Sequence, residues 1–293
     1  MKPPWPFRLP RRGGGDGVMR SRGGVVTRLL HIDECPIVVN VWQRREGTVR
    51  FRAAGEAGEE TLELAISRMR FALSVDENLR PFYDEFRSDP VLGPAIRRHP
   101  HLRPRRRPWP WEALAAAITA QLIESGRALQ IQRRMVRRWG RERSAGGGDR
   151  LPLRDTPPVD AIAGLAPAEL AACDLAPKRA IALIRCAREV ASGRIDLANP
   201  ADDHRLLAIT DIGPWTVQCL GLDGRGEDDS LPAGDLAYVK LVGRLAGLGR
   251  RAEIEEIDDY FARYEPYRGL AGYFLNVHYH HAVQTGPPLR LAA

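Results

Sequence analysis

Residues 206–240 read LLAITDIGPWTVQCLGLDGRGEDDSLPAGDLAYVK. Leu206, Leu207 and Ile209 end a short apolar helix, Asp211-Ile212-Gly213 make a tight turn, and Pro214-Trp215-Thr216 opens a second helix. Glycine takes a positive φ at little cost, and proline suits the first helical turn, where its missing N–H is not needed. Helices joined in this way leave unpaired N–H groups at a helix N-terminus. With the helix dipole, those groups favour an anion such as a nucleic-acid phosphate. Further on, Leu231-Pro232-Ala233-Gly234-Asp235-Leu236 is a loop ending in an aspartate at the start of another apolar helix.

The chain before this hairpin changes character twice. Residues 24–31, 36–43 and 48–53 are short, β-branched and partly alternating, with a hairpin-like break at Glu46-Gly47; they predict an antiparallel sheet. Residues 58–74 and 79–88 follow as helices, the first on the spacing of Leu62, Ile66, Met69 and Leu73. Residues 1–95 are therefore expected to form a small α+β domain. Residues 96–110 include the basic, proline-rich run RRHPHLRPRRRPWP and are expected to be a solvated connector. Residues 111–293 read as helix throughout, with the helix-hairpin-helix at about 204–222. The first of these helices is expected over 111–125, with Leu114, Ala115, Ile118 and Leu122 on one face.

The 293 residues are 44% hydrophobic and carry a formal net charge of +7. Lysine occurs only at Lys2, Lys178 and Lys240, so the excess is arginine, which pairs bidentately with phosphate. The basic balance is consistent with a polyanionic partner and equally with genome composition. The cysteines at 35, 173, 186 and 219 fit neither a zinc pair nor an iron–sulfur run and are expected as reduced thiols of a cytoplasmic protein. No apolar run is long enough for a membrane span, and the N-terminus lacks the apolar segment of a secretory signal. His278 and His281 have no carboxylate or cysteine at ligand spacing, so they read as ordinary helix histidines.

Ile212-Gly213-Pro214-Trp215-Thr216 followed by Leu231-Pro232-Ala233-Gly234-Asp235-Leu236 resembles the helix-hairpin-helix DNA glycosylases, and within them DNA-3-methyladenine glycosylase II most. The resemblance extends over roughly 110–285, including Trp111-Glu112 with Gln121, the Lys178-Arg179-Ala180 helix and Glu265-Pro266-Tyr267-Arg268. It implies excision of an alkylated base of the 3-methyladenine type from duplex DNA by base flipping and hydrolysis, acting as a monomer away from membranes. Asp235 matches the catalytic aspartate; by its own sequence it is also an N-cap. Trp215, Cys219 and Asn276 fall at base-pocket positions, where Cys219 and Asn276 replace a tyrosine and a tryptophan of the relatives. Trp215 also reads as a packed aromatic. Gln121 and Leu122 match the DNA wedge, and Leu122 also reads as core.

The amides of Gly213 and Trp215 and the hydroxyl of Thr216 are the expected phosphate contacts. The resemblance further implies a monovalent cation, Na or K, on the carbonyls of Leu207, Ile209 and Ile212. No cofactor is otherwise required and no iron–sulfur cluster is expected. Where bifunctional members carry a Schiff-base lysine this chain has Trp215, which implies a monofunctional hydrolase. A glycosylase for oxidised or deaminated bases, or a non-catalytic damaged-DNA-binding protein, are the alternatives; Asp211, Cys219 and Asn276 favour the last, and Asp235 opposes it.

Overall fold

The computed structural model describes residues 1–144 and 151–285, with side chains through residue 280. The glycines 146–148 and the side chain of His281 lie outside the described residues. Strands β1 (Met19–Arg22), β2 (Val25–Ile32), β3 (Cys35–Gln43) and β4 (Val49–Ala54) form one antiparallel sheet in sequential order. Val26 lies opposite Val41 and Leu30 opposite Ile37, so β-branched and leucine side chains meet on one face. Helix α1 (Glu59–Ala72) covers that face with Ala65 and Met69. An α+β protein with an N-terminal antiparallel sheet and a helical remainder is therefore the observed class, with one addition. The two-residue strands β5 (Glu142–Arg143) and β6 (Leu153–Arg154) interrupt the helical part.

The cores do not follow a boundary at residue 95. Helices α2 (Arg80–Phe86) and α3 (Leu92–Arg98) pack with α11 (Leu236–Leu245), α12 (Ile254–Ala262) and α13 (Arg268–Thr285). Phe82 meets Phe274 at 5.5 Å between ring centroids, and Phe86 meets Tyr264 at 5.5 Å. A second core joins α4 (Pro110–Ala120), α5 (Ser125–Trp139), α6 (Val159–Ala163), α7 (Pro167–Ala171), α8 (Pro177–Ala191), α9 (Asp203–Leu207) and α10 (Pro214–Cys219). Sheet and α1, middle helices, and the α2–α3 pair with the C-terminal helices are thus three packed groups. Periodicity marked α2 correctly as a helix but says nothing about which distant helix shares its aromatic face.

The basic segment 96–110 is not a solvated connector. The side chains of Arg103 and Arg106 are buried because they bridge elements. Arg106 pairs with Glu77 and, at 2.8 Å, with Asp228; Arg107 reaches Asp16 at 2.5 Å. The arginines of α5 are similarly engaged: Arg127 pairs with Asp174 at 3.1 Å, and Arg133 donates to the Gly15 carbonyl at 2.6 Å. Arg28 on β2 and Glu112 on α4 form a buried ion pair at 2.6 Å that joins the sheet to the middle helices.

All four cysteines are free thiols, and His278 packs edge-on against His99. No helix among the described residues is long and apolar enough to cross a membrane.

Candidate active site

The hairpin joins α9 to α10 through residues 208–213. Its left-handed residue is Asp211, at φ 69°, whereas Gly213 is extended at φ −113° and ψ 177°. The expectation for Gly213 is thereby corrected: the turn closes one residue pair earlier, on an aspartate, whose short polar side chain tolerates this region better than most. The amides of Thr216 and Val217 donate to the Gly213 carbonyl at 3.0 and 3.4 Å. The amides of Gly213 and Trp215 have no acceptor among the described residues, so they remain available at the helix start. Thr216 does not join them. It is buried, and its hydroxyl accepts from Gln121 Nε2 at 3.0 Å, so it faces α4 and cannot present to an external phosphate.

Gln121 also donates to the Asp211 carbonyl at 2.9 Å. This side chain ties the end of α4 to the hairpin, and it is not itself a projecting wedge. The expected helix 111–125 stops here: α4 ends at Ala120, and Gln121 turns to ψ 128°. Leu122 follows at φ 55° and is fully exposed, at 103% of its reference area. A left-handed leucine bare to solvent contradicts the core reading. Such an arrangement costs of order 1–3 kcal/mol and is found where function holds the strain.

The loop before Asp235 is anchored from three sides. Arg106 holds Asp228, Arg268 holds Asp229 at 2.9 Å through Nε, and Arg225 holds Glu227 at 2.6 Å. Ser230 donates to the Gln218 carbonyl at 3.0 Å, linking the loop to α10. Gly269 lets α13 approach this loop, since a Cβ there would collide with the Ser230 carbonyl. The loop delivers Asp235 to the N-cap of α11, where its Oδ1 accepts from the Ala237 amide at 2.8 Å. The cap fixes the carboxylate and leaves Oδ2 without a hydrogen bond among the described residues.

Trp215 stands beside this cap: a Cβ on Gly234 would lie 3.7 Å from Trp215 Cβ. The indole Nε1 is buried with no acceptor, an arrangement costing about 1–3 kcal/mol when nothing completes it. Cys219, one turn on, is part-buried. Burial pushes its thiol well above the ordinary range, and the charges of Asp223 and Asp235 add to the effect. It is a neutral thiol and not a nucleophile. Asn276 is part-exposed on α13, one turn beyond Tyr273.

Three further side chains neighbour this group, none of them marked by a motif. Tyr238 sits three residues after Asp235 on α11; burial raises its hydroxyl pKa, with Asp235 and Cys219 adding to it. Tyr273 on α13 faces Arg105 and Asp223. Asp223 itself lies in a π-helical turn, Leu220–Arg225, that continues α10. Helical spacing from Asp235 and Cys219 was the available signal for Tyr238 and Asp223, and no local signal existed for Tyr273. Tyr238 and Tyr273 thus give the region aromatic side chains besides Trp215, although Cys219 and Asn276 are not aromatic.

Of the carbonyls expected to hold a monovalent cation, Ile209 O accepts from the Ile212 amide at 3.0 Å. Those of Leu207 and Ile212 accept nothing among the described residues. Oxygen ligands with free lone pairs suit such a cation, so the residues fit the group. No cluster of histidine, cysteine or carboxylate suited to a metal occurs among the described residues. A separate cavity, lined by Arg20, Arg22, Arg133 and Arg137, includes no residue of the hairpin or the aspartate loop.

Comparison with known proteins gives the same architecture a context. No protein-family model matches the sequence. The chain is 24% identical over 260 residues to "DNA-3-methyladenine glycosylase" of Bacillus subtilis, covering 86% of this chain and 85% of that one. It is 28% identical over 234 residues to "Probable bifunctional transcriptional activator/DNA repair enzyme AlkA" of Mycobacterium tuberculosis, covering 78% of this chain and 45% of that one. The solved structure of the 3-methyladenine DNA-glycosylase from Archaeoglobus fulgidus superposes with a TM-score of 0.80 at 21% identity, over 95% of this chain and 94% of that one. That structure shares the fold, and the sequence relatives carry the same type of name. The chain is thus similar in sequence to named 3-methyladenine glycosylases and shares the fold of one of them, the helix-hairpin-helix glycosylase fold.

Proposed function

We propose that the protein is a monofunctional DNA glycosylase that flips an alkylated base of the 3-methyladenine type out of duplex DNA and hydrolyses its N-glycosidic bond. The observation that carries this reading is the capped Asp235 carboxylate, one oxygen free, beside Trp215 and next to a hairpin with open amides. When the C1′–N bond breaks, its electron pair leaves with the base, and positive charge grows at C1′ and the ring oxygen. A fixed carboxylate stabilises that charge as it develops, which is what lowers the barrier. Water then attacks C1′. An N-alkylated purine is already cationic and leaves without prior protonation, so a second acid is not required for it.

The amides of Gly213 and Trp215 bind the phosphate on this reading, and the carbonyls of Leu207, Ile209 and Ile212 hold the cation. A cation there would offset the negative charge of Asp211. Trp215 is the stacking wall for the electron-poor base. Neither Lys178, in the first turn of α8, nor Lys240, on α11, lies in the hairpin, in keeping with hydrolysis and no lyase step. Single-turnover release from duplexes carrying 3-methyladenine, 7-methylguanine, hypoxanthine or an oxidised purine tests the reading. Release of the alkylated bases is the expected result. Binding of abasic DNA without release of any base would make this a damaged-DNA-binding protein instead.

Leu122 is the wedge that fills the gap left by the flipped base. Leu122→Ala is expected to slow single-turnover release about ten-fold, the worth of one leucine side chain buried in the helix stack. Because Leu122 touches solvent alone, stability should stay within about 0.5 kcal/mol of wild type, measured by denaturant unfolding. An unslowed variant would remove Leu122 from the flipping step.

A further inference from the structure

The reaction outlined above makes no use of Asp223. This residue stands in the π-helical turn, on the helix that also carries Trp215 and Cys219. Such turns occur often at functional sites. Gly224 seats the turn closely on α4, where a Cβ would lie 2.8 Å from Ala113. The Asp223 carbonyl accepts from the Arg107 amide at 2.7 Å, which fixes the backbone. Its carboxylate is part-buried and has no hydrogen bond or ion pair among the described residues. Asp223 stands one turn beyond Cys219, which itself stands one turn beyond Trp215 on the same continued helix.

A part-buried carboxylate without a donor is costly unless a ligand brings hydrogen-bond donors or positive charge. We propose that Asp223 is a specificity-determining residue: its carboxylate meets the flipped base along the helix from Trp215 and Cys219 and favours bases that carry a positive charge. The inference rests on the glycosylase reading. As the bond breaks, positive charge moves away from the base and onto the sugar. A carboxylate beside the base therefore stabilises bound substrate more than the transition state, whereas Asp235 does the reverse.

Burial pushes the Asp223 carboxyl up to about 6, against the pull of Arg107, Arg106 and Arg105. These arginines face it from segment 96–110, Cys219 from its own helix, Tyr238 from α11 and Tyr273 from α13. Glu112 on α4 is engaged by Arg28. The raised thiol and phenols stay neutral between about pH 5 and 8, whereas Asp223 titrates there. Above its folded value it is ionised and attracts a cationic base. Below that value it is protonated and the attraction is lost.

The test compares duplexes carrying cationic 7-methylguanine and neutral hypoxanthine under single-turnover conditions, with wild type and Asp223→Asn. The variant is expected to lower the preference for 7-methylguanine over hypoxanthine about ten-fold, the scale of one hydrogen bond to a charged group. The loss should appear in the half-saturating enzyme concentration and not in the saturated rate. Wild-type preference should fade as pH falls through about 6, and that of the variant should not vary with pH. Asp223→Glu, which restores the charge, should recover the preference, and it separates charge from any loss of folding in the first variant. An unaltered ratio of the two bases in Asp223→Asn, or equal losses on both, would overturn the proposal. Failure of wild type to release any base would instead overturn the glycosylase reading beneath it.

Discussion

Asp235→Asn is expected to slow single-turnover base release on the order of a hundred-fold or more, the scale seen when one preorganised electrostatic group is removed. The substitution isolates charge from structure. Oδ1 of Asp235 caps α11 through the Ala237 amide at 2.8 Å, and an asparagine carbonyl accepts the same bond. Asparagine and aspartate are comparable N-caps, so α11 and the loop anchored by Arg106, Arg225 and Arg268 should stay in place. Binding of abasic duplex should persist, because the hairpin amides are untouched. Release that survives at the wild-type rate would put the chemistry elsewhere in the molecule.

The largest loss of stability is expected from Arg28→Met. Arg28 and Glu112 are each almost completely buried and 2.6 Å apart. Removing the arginine strands a carboxylate in the interior, which costs about 3–5 kcal/mol when a buried pair is broken. Arg28 Nε and Glu112 Oε2 have no partner, so the pair is incompletely satisfied even in the intact protein. The double variant Arg28→Met/Glu112→Met should therefore recover most of the loss, since removing both charges removes both desolvation penalties. Denaturant unfolding of the two single variants and the double decides it. A loss below about 1 kcal/mol for Arg28→Met would show that water or a neighbour already satisfies Glu112.

What the sequence could and could not reveal divides along the range of each interaction. The hairpin and Asp235 were legible because turn chemistry and capping are written within a few residues. The strands were legible from alternation, and β1 to β4 lie close to the expected runs. The turn chemistry allows a positive φ at either Gly213 or Asp211, and the chain places it on Asp211, where the Gln121 side chain holds the adjoining carbonyl. Leu122 continued an apolar pattern that the backbone leaves one residue earlier. The arginines of 96–110 looked solvated because their partners Asp16, Glu77 and Asp228 are distant in sequence. Asp223 and Tyr273, fifty residues apart, are brought near each other only by tertiary packing, for the same reason.

The sharing of one core between α2–α3 and the last three helices bears on how the chain is made. Residues 79–98 emerge early from a ribosome, with Phe82, Phe86 and Ile96 needing cover. Their partners begin at Leu231, roughly 130 residues later, which at about 5–20 residues per second is a delay of about 7–25 s. The middle helices can bury their own core during that interval, while the aromatic face of α2 waits for its partners. Nascent chains stalled short of residue 231 should therefore be protease-sensitive around residues 80–98 and protected through α4–α8.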